Sequence, residues 1–195
     1  MERLVISIDC DDVLLPSTEK IVDMYNKQYG TDVSLAGSQD SHNPEWRAQP
    51  QEIGERIYDI QLTSEYAETP PFEDAIEVCR RLSNDHELHM VTARPGRVMP
   101  VTIDMLEKYF KGVFTEIEHV GRSGSKGDVC RRLKSDVLID DNITHLASAK
   151  DCGIDNRIWF GNYDWQAGGD TIGASTLRCM YWQEVGVEIE RIANR

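Results

Sequence analysis

Leu4-Val5-Ile6-Ser7-Ile8-Asp9-Cys10-Asp11-Asp12-Val13-Leu14 begins as an apolar, β-branched run and turns abruptly into three carboxylates. Val5, Ile6 and Ile8 predict a short buried strand. Asp9 and Asp11 lie two residues apart, so they point to the same side while the chain stays extended. Acids at the carboxyl end of a buried strand stand where open α/β sheets bind ligands. By itself the stretch also reads as a strand entering an Asp-rich turn. The choice between the two rests on the remainder of the chain.

Downstream, Pro16-Ser17-Thr18 predicts a helix entry with Ser17 or Thr18 as N-cap. Ile21, Val22, Tyr25 and Tyr29 fall on one helical face, and Gly30 is a natural stop. A polar loop over residues 31–50 carries Trp46 and Arg47. A second helix follows Pro50, with Ile53, Ile57 and Ile60 on one face, and is expected to run to about Tyr66. Residues 15–70 therefore hold helices and a loop but no strand, as an inserted cap would.

From Phe72 the pattern changes to regular alternation. Helices are predicted over 72–82, 100–110 and from Ser125, and again through Leu146 and Ala149. Strands are predicted over 87–92, 113–117, 137–139 and 157–160. A Gly-rich loop at 161–173, a strand near 177–180 and a helix over 183–192 complete the chain. Such alternation implies an α/β fold: a Rossmann-like parallel sheet with helices on both faces and a small helical cap after the first strand. The expected division is a core of residues 1–14 and 71–195 and a cap of residues 15–70.

The 195 residues carry 34 acidic against 21 basic side chains, a net charge of −13. That field repels polyanions, so neither a nucleic-acid polymer nor an anionic membrane is an expected partner. A small phosphorylated substrate remains compatible, because one local cation outweighs a distant field. No apolar run approaches the roughly 18 residues of a membrane span. Five scattered cysteines without a C-x-x-C pair, and the lack of a signal-peptide pattern, lead to the expectation of a reduced, cytoplasmic setting. A homodimer is allowed but not specified.

The strand ends bring the chemistry together. Strand one delivers Asp9 and Asp11, and strand two ends in Thr92-Ala93-Arg94-Pro95. Lys126 opens a later helix, and strand four ends in Asp140-Asp141. Two unit charges about 4 Å apart interact by about 4 kcal/mol at an effective dielectric near 20. Three or four acids on one edge therefore call for a cation, and an oxygen-only ligand set suits Mg²⁺. Asp9 as nucleophile with Asp11 as acid/base is the economical division of labour. Singly, Thr92 also reads as an ordinary strand residue and Lys126 as a solvated lysine. Arg94 reads equally as a phosphate contact or an ion-pair partner.

In combination, D-x-D-D-V-L, T-A-R-P, S-K-x-D-V-C and L-I-D-D-N resemble the four motifs of the haloacid dehalogenase superfamily. Within it they resemble the 5′(3′)-deoxyribonucleotidase-like group. The resemblance implies a Mg²⁺-dependent phosphomonoesterase acting through an aspartyl-phosphate on Asp9, with (deoxy)nucleoside monophosphates as the favoured substrates. It implies that Asp11 transfers the proton and lends its backbone carbonyl to the metal. Thr92, Ala93 and Arg94 would bind the phosphoryl group, Lys126 would neutralise its charge, and Asp141, with Asp140 as neighbour, would complete the metal site. Trp46, in a loop beside Arg47, is the best candidate in the cap to meet a base, with Tyr58 and Tyr66 as further aromatic candidates, and all three read equally as cap core. Sugar-phosphate phosphatase, phosphomutase and non-catalytic phosphometabolite binder are the alternatives. A calcium loop at Asp9 and a phosphate loop at Gly121 are rejected, since Leu14, Lys20, Ser125 and Gly127 stand where those motifs need other residues.

Overall fold

The computed structural model describes residues 2–121, 124–166 and 176–195. Six strands form one parallel sheet: β1 (Val5–Ile8), β2 (Glu87–Thr92), β3 (Phe114–His119), β4 (Val137–Asp140), β5 (Asn156–Phe160) and β6 (Thr176–Cys179), in the spatial order β3-β2-β1-β4-β5-β6. Ile8 pairs with Met90 on one side and Ile139 on the other. The chain winds outward from β1 through β2 to β3, then returns to β4 and winds the other way. The sheet's switch point thus lies between β1 and β4, where such folds open a crevice at the strand carboxyl ends.

The inner strands β1, β2, β4 and β5 are buried because both faces are covered, whereas the edge strand β3 is polar and largely exposed. Ile6, Ile8, Leu88, Met90, Val137 and Ile139 face one core, packed against α4 (Glu73–Leu82), α5 (Met99–Tyr109) and α8 (Trp182–Ala193). Leu138 and Trp159 face a smaller cluster under α6 (Lys126–Leu133) and α7 (Ile143–Asp151). Alternate residues of β4 therefore serve opposite layers, the period-two consequence of the pleat.

Between β1 and α4 lie α1 (Ser17–Tyr29), a 3₁₀ turn (Pro44–Trp46), α2 (Pro50–Gln61) and α3 (Ser64–Ala67). These form their own cluster around Tyr25, Trp46, Ile53, Ile60 and Tyr66. The helix expected from Pro50 to about Tyr66 is in fact two. Leu62 and Thr63 leave the helix, and the Thr63 hydroxyl accepts from the Tyr66 amide to start α3. Neither Ser17 nor Thr18 caps α1 as expected. The Asp12 carboxylate accepts both the amide and the hydroxyl of Thr18, placing a negative group at the helix's orphan donors. Asp12 reaches them from a left-handed turn at φ 57°. Residues 167–173 of the expected Gly-rich loop lie outside the described residues.

Candidate active site

Asp9 leaves β1 at the switch point, and Asp140 and Asp141 leave β4 beside it. Lys126 comes from the first turn of α6, which Ser125 caps by accepting from the Asp128 amide. The α6 helix reaches this position through a close approach to α7. A Cβ on Gly127 would stand 2.3 Å from the Ser148 carbonyl oxygen, so no larger residue fits without moving backbone. The Lys126 ammonium, fully buried, lies 2.7 Å from Asp9 Oδ1 and 2.7 Å from Asp140 Oδ2.

One ammonium does not balance the acids around it. Burial raises the Asp9 carboxyl to about 7, and Asp140 and Asp11 add to the rise while Lys126 opposes it. Asp141 is held well above the usual carboxylate range by burial and then by Asp12, Asp140 and Asp9. Burial would lower Lys126, but the Asp140 and Asp9 charges outweigh it and keep the ammonium. Oxygen atoms of Asp9, Asp140 and Asp141 all lie within 4.8 Å of one another. Three buried carboxylates with one cation between them fit a divalent, oxygen-seeking ion, which would supply the missing positive charge.

The two members of the Asp140-Asp141 pair are not equivalent. Asp140 uses one oxygen for Lys126 and the other to accept from the Asn142 amide. Asp141 has only the Trp165 indole N–H at 3.2 Å on Oδ2, which leaves Oδ1 without a partner among the described residues. Asp9 Oδ1 accepts from the Cys10 amide and Lys126. Its Oδ2 has no partner among the described residues. Cys10 itself is buried in the core, as its alternation with Asp9 and Asp11 predicts.

Asp11 stands apart from the three-acid group. Arg94 donates to it from Nε at 3.0 and 3.1 Å and from a terminal nitrogen at 2.7 Å. Burial raises the Asp11 carboxyl, but the guanidinium charge and hydrogen bonds outweigh it, and the net position is below the ordinary value. Arg94 is itself held by Thr102 at 2.9 Å and by the Tyr66 hydroxyl at 2.7 Å. Of the two readings of Arg94, phosphate contact or ion-pair partner, its guanidinium forms the second, with the acid/base candidate. Thr92 is fully buried and accepts from the Arg94 amide at 3.1 Å, and it is Ala93, Arg94 and Pro95 that line the cleft.

The cleft over Asp9, Asp11 and Asp141 has a volume of about 270 Å³. It adjoins a second chamber of about 330 Å³ lined by residues of the 15–70 segment, the two sharing Thr18, Ile21, Gln39 and Ile57. Trp46 borders that second chamber but is only 1% exposed. Its ring meets Tyr25 edge-on at 4.7 Å, and its indole N–H donates to the Asp40 carbonyl. Its packing is that of cap core, the other reading of this residue. Tyr66 is also buried, with its hydroxyl 2.5 Å from Ser17 and within reach of Arg94. Tyr58 does line the cleft.

Sequence reasoning missed three residues here, Trp165, Gln61 and His145, and named Tyr66 only as an aromatic candidate. Tyr66 acts on the Arg94 side of the site instead of as a base platform. Trp165 comes from a loop whose composition signals only a turn. Gln61 ends a cap helix, and His145 lies one turn beyond Asp141, a spacing that was visible but isolated.

A model of the family described as "5' nucleotidase, deoxy (Pyrimidine), cytosolic type C protein" matches residues 3–191. The chain belongs to this 5′-nucleotidase family. It is accordingly an enzyme of the phosphatase class, and its fold is that of haloacid dehalogenase-like hydrolases. Solved structures share its fold. A haloacid dehalogenase-like family hydrolase from Streptococcus pneumoniae superposes with a TM-score of 0.69 at 15% identity, covering 96% of this chain and 98% of that one. A HAD-hydrolase from Bacillus subtilis, described as bound to magnesium, gives 0.64 at 12% identity over 100% of both chains. L-2-haloacid dehalogenase from Xanthobacter autotrophicus gives 0.64 at 10% identity over 96% and 98%. No match was found among curated proteins. Among the described residues no helix is long and apolar enough to cross a membrane.

Proposed function

We propose that this nucleotidase-family enzyme is a Mg²⁺-dependent phosphomonoesterase that hydrolyses nucleoside monophosphates through a phosphoryl group carried on Asp9. The observation that carries the reading is Lys126 set 2.7 Å from both Asp9 and Asp140, with Asp11 held separately by Arg94. In this reading the core of residues 1–14 and 71–195 supplies the chemistry, and residues 15–70 act as the cap that selects the substrate. The separate apolar cluster of the cap helices supports that division.

The free Oδ2 of Asp9 attacks phosphorus and the bond to the ester oxygen breaks. Asp11 gives its proton to the departing alcohol, then takes one from the water that attacks phosphorus and releases Asp9. Lys126 holds Asp9 in position and faces the negative charge of the phosphoryl group. Asp9, Asp141 and the Asp11 backbone carbonyl would hold Mg²⁺, with Asp140 fixing Lys126. The ion would keep the carboxylates ionised and offset phosphoryl charge when bound. Asp11 is ionised in the resting site, so the proton it passes to the alcohol is taken up from the monoanionic phosphate ester or from solvent as substrate binds.

Phosphate release from a panel of monophosphates, with and without EDTA, tests the reading. Nucleoside monophosphates are expected to be hydrolysed best, and EDTA to stop release. Preference for simple sugar phosphates would replace the nucleotide reading, and undiminished release in EDTA would remove the metal.

Folding stability gives a second check. Asp9 titrates near 3.8 when unfolded and near 7 in the metal-free fold. Between those values the folded protein retains a proton that the unfolded chain has lost. Its stability therefore falls as pH rises from 3.8 to about 7, and levels above that. Asp12, raised to about 7 by burial, adds to the same slope. Millimolar Mg²⁺ is expected to raise Tm at pH 8 far more than at pH 4. Identical melting curves with and without Mg²⁺ across that range would count against the site.

A further inference from the structure

Two polar side chains in the cleft wall make no hydrogen bond to the described protein. Gln61, the last residue of α2, is only 5% exposed, yet its carboxamide has no partner among the described residues. Its polar atoms are not sealed from solvent, so the carboxamide opens on the cleft. A carboxamide left open on the wall of a cleft is available to a ligand. His145, in the first turn of α7, borders the same cleft from the core side, and its ring is likewise without a partner among the described residues. Burial and then Lys126 hold its imidazole below the ordinary value, at about 4. It is therefore neutral and offers one donor and one acceptor.

Position narrows what these groups can meet. Both line the 270 Å³ cleft that contains Asp9 and Asp11, and neither lines the 330 Å³ chamber within the cap segment. That places them around the ester group, not at the far end of a substrate that extends into the cap chamber. We propose that Gln61 and His145 read hydroxyl groups on the alcohol half of the phosphomonoester, the sugar of a nucleoside monophosphate, one from the cap and one from the core. A hydroxyl both donates and accepts, as do a carboxamide and a neutral imidazole. An alcohol without hydroxyls that displaces water from the cleft leaves the Gln61 carboxamide and the half-buried His145 ring unpaired, the situation in which polar sites discriminate most strongly. This inference rests on the phosphomonoesterase reading of the cleft.

The test compares kcat/KM for nucleoside monophosphates with that for phenyl phosphate, which presents the same phosphoryl group and no hydroxyl. Gln61→Leu, close in volume, and His145→Phe are each expected to lower the ratio of the two values by about ten-fold or more. Gln61→Asn should recover part of it. The ratio does not depend on the fraction folded, so a variant that is merely destabilised lowers both rates and leaves it unchanged. An unchanged ratio in both variants overturns the assignment, as would a wild-type enzyme that prefers phenyl phosphate to every hydroxylated ester. If the enzyme rejects nucleotides but accepts sugar phosphates, the nucleotide reading fails. A falling ratio with ribose 5-phosphate would then still sustain the roles of Gln61 and His145.

Discussion

Asp9→Asn is expected to reduce phosphate release by at least about 10⁴-fold, the scale on which removal of a nucleophile is felt. The same change should leave the fold intact. Lys126 keeps its 2.7 Å contact with Asp140, and one of three mutually repelling buried carboxylates is removed. In the absence of Mg²⁺ at pH 8, the variant should therefore melt at the same temperature as the parent or higher. That combination separates chemistry from structure, because a variant inactive through misfolding would melt lower. Release within about ten-fold of the parent would exclude Asp9 as the attacking group.

The parts of the molecule that could be read early are those governed by local rules. Val5, Ile6 and Ile8 are apolar because β1 is central in a doubly covered sheet, and the same holds for Val137 to Ile139 in β4. Once the alternation after Phe72 specifies parallel strands, Asp9, Asp140 and Asp141 must meet at one edge. Lys126 follows from the cap at Ser125. The contacts that were not legible depend on side chains whose partners lie far away in sequence. Arg94 could bind phosphate or an acid with equal plausibility, and only the fold brings it to Asp11, 83 residues earlier. Tyr66 and Trp46 are chemically suited to stacking on a base. The cap instead buries both, because α1 and α2 need large side chains to fill the space between them. Asp12 reads as a turn residue, but its carboxylate serves the start of α1 six residues on. In each case composition sets what the group can do, and tertiary packing decides which of those things it does.

Lys126→Met is the complementary expectation to Asp9→Asn, since it should damage both activity and stability. Methionine fills nearly the same volume, so the loss is one of charge rather than packing. Without the ammonium, Asp9 and Asp140 are left buried and unpaired, a change that typically costs about 3–5 kcal/mol. Electrostatic stabilisation of the phosphoryl group is lost as well, and removal of one such donor typically costs about 10²- to 10³-fold in kcat. The stability loss should shrink as pH falls toward 5, because Asp9 and Asp140 both have raised pKa values and can then relieve the mismatch by taking up protons. It should also shrink when Asp140→Asn is added, since one of the stranded charges is then gone. Denaturant midpoints for the two single variants and the double variant form a cycle that isolates the interaction. Additive losses would mean that Lys126 and Asp140 do not act on each other, and the 2.7 Å contact would then contribute nothing to the site.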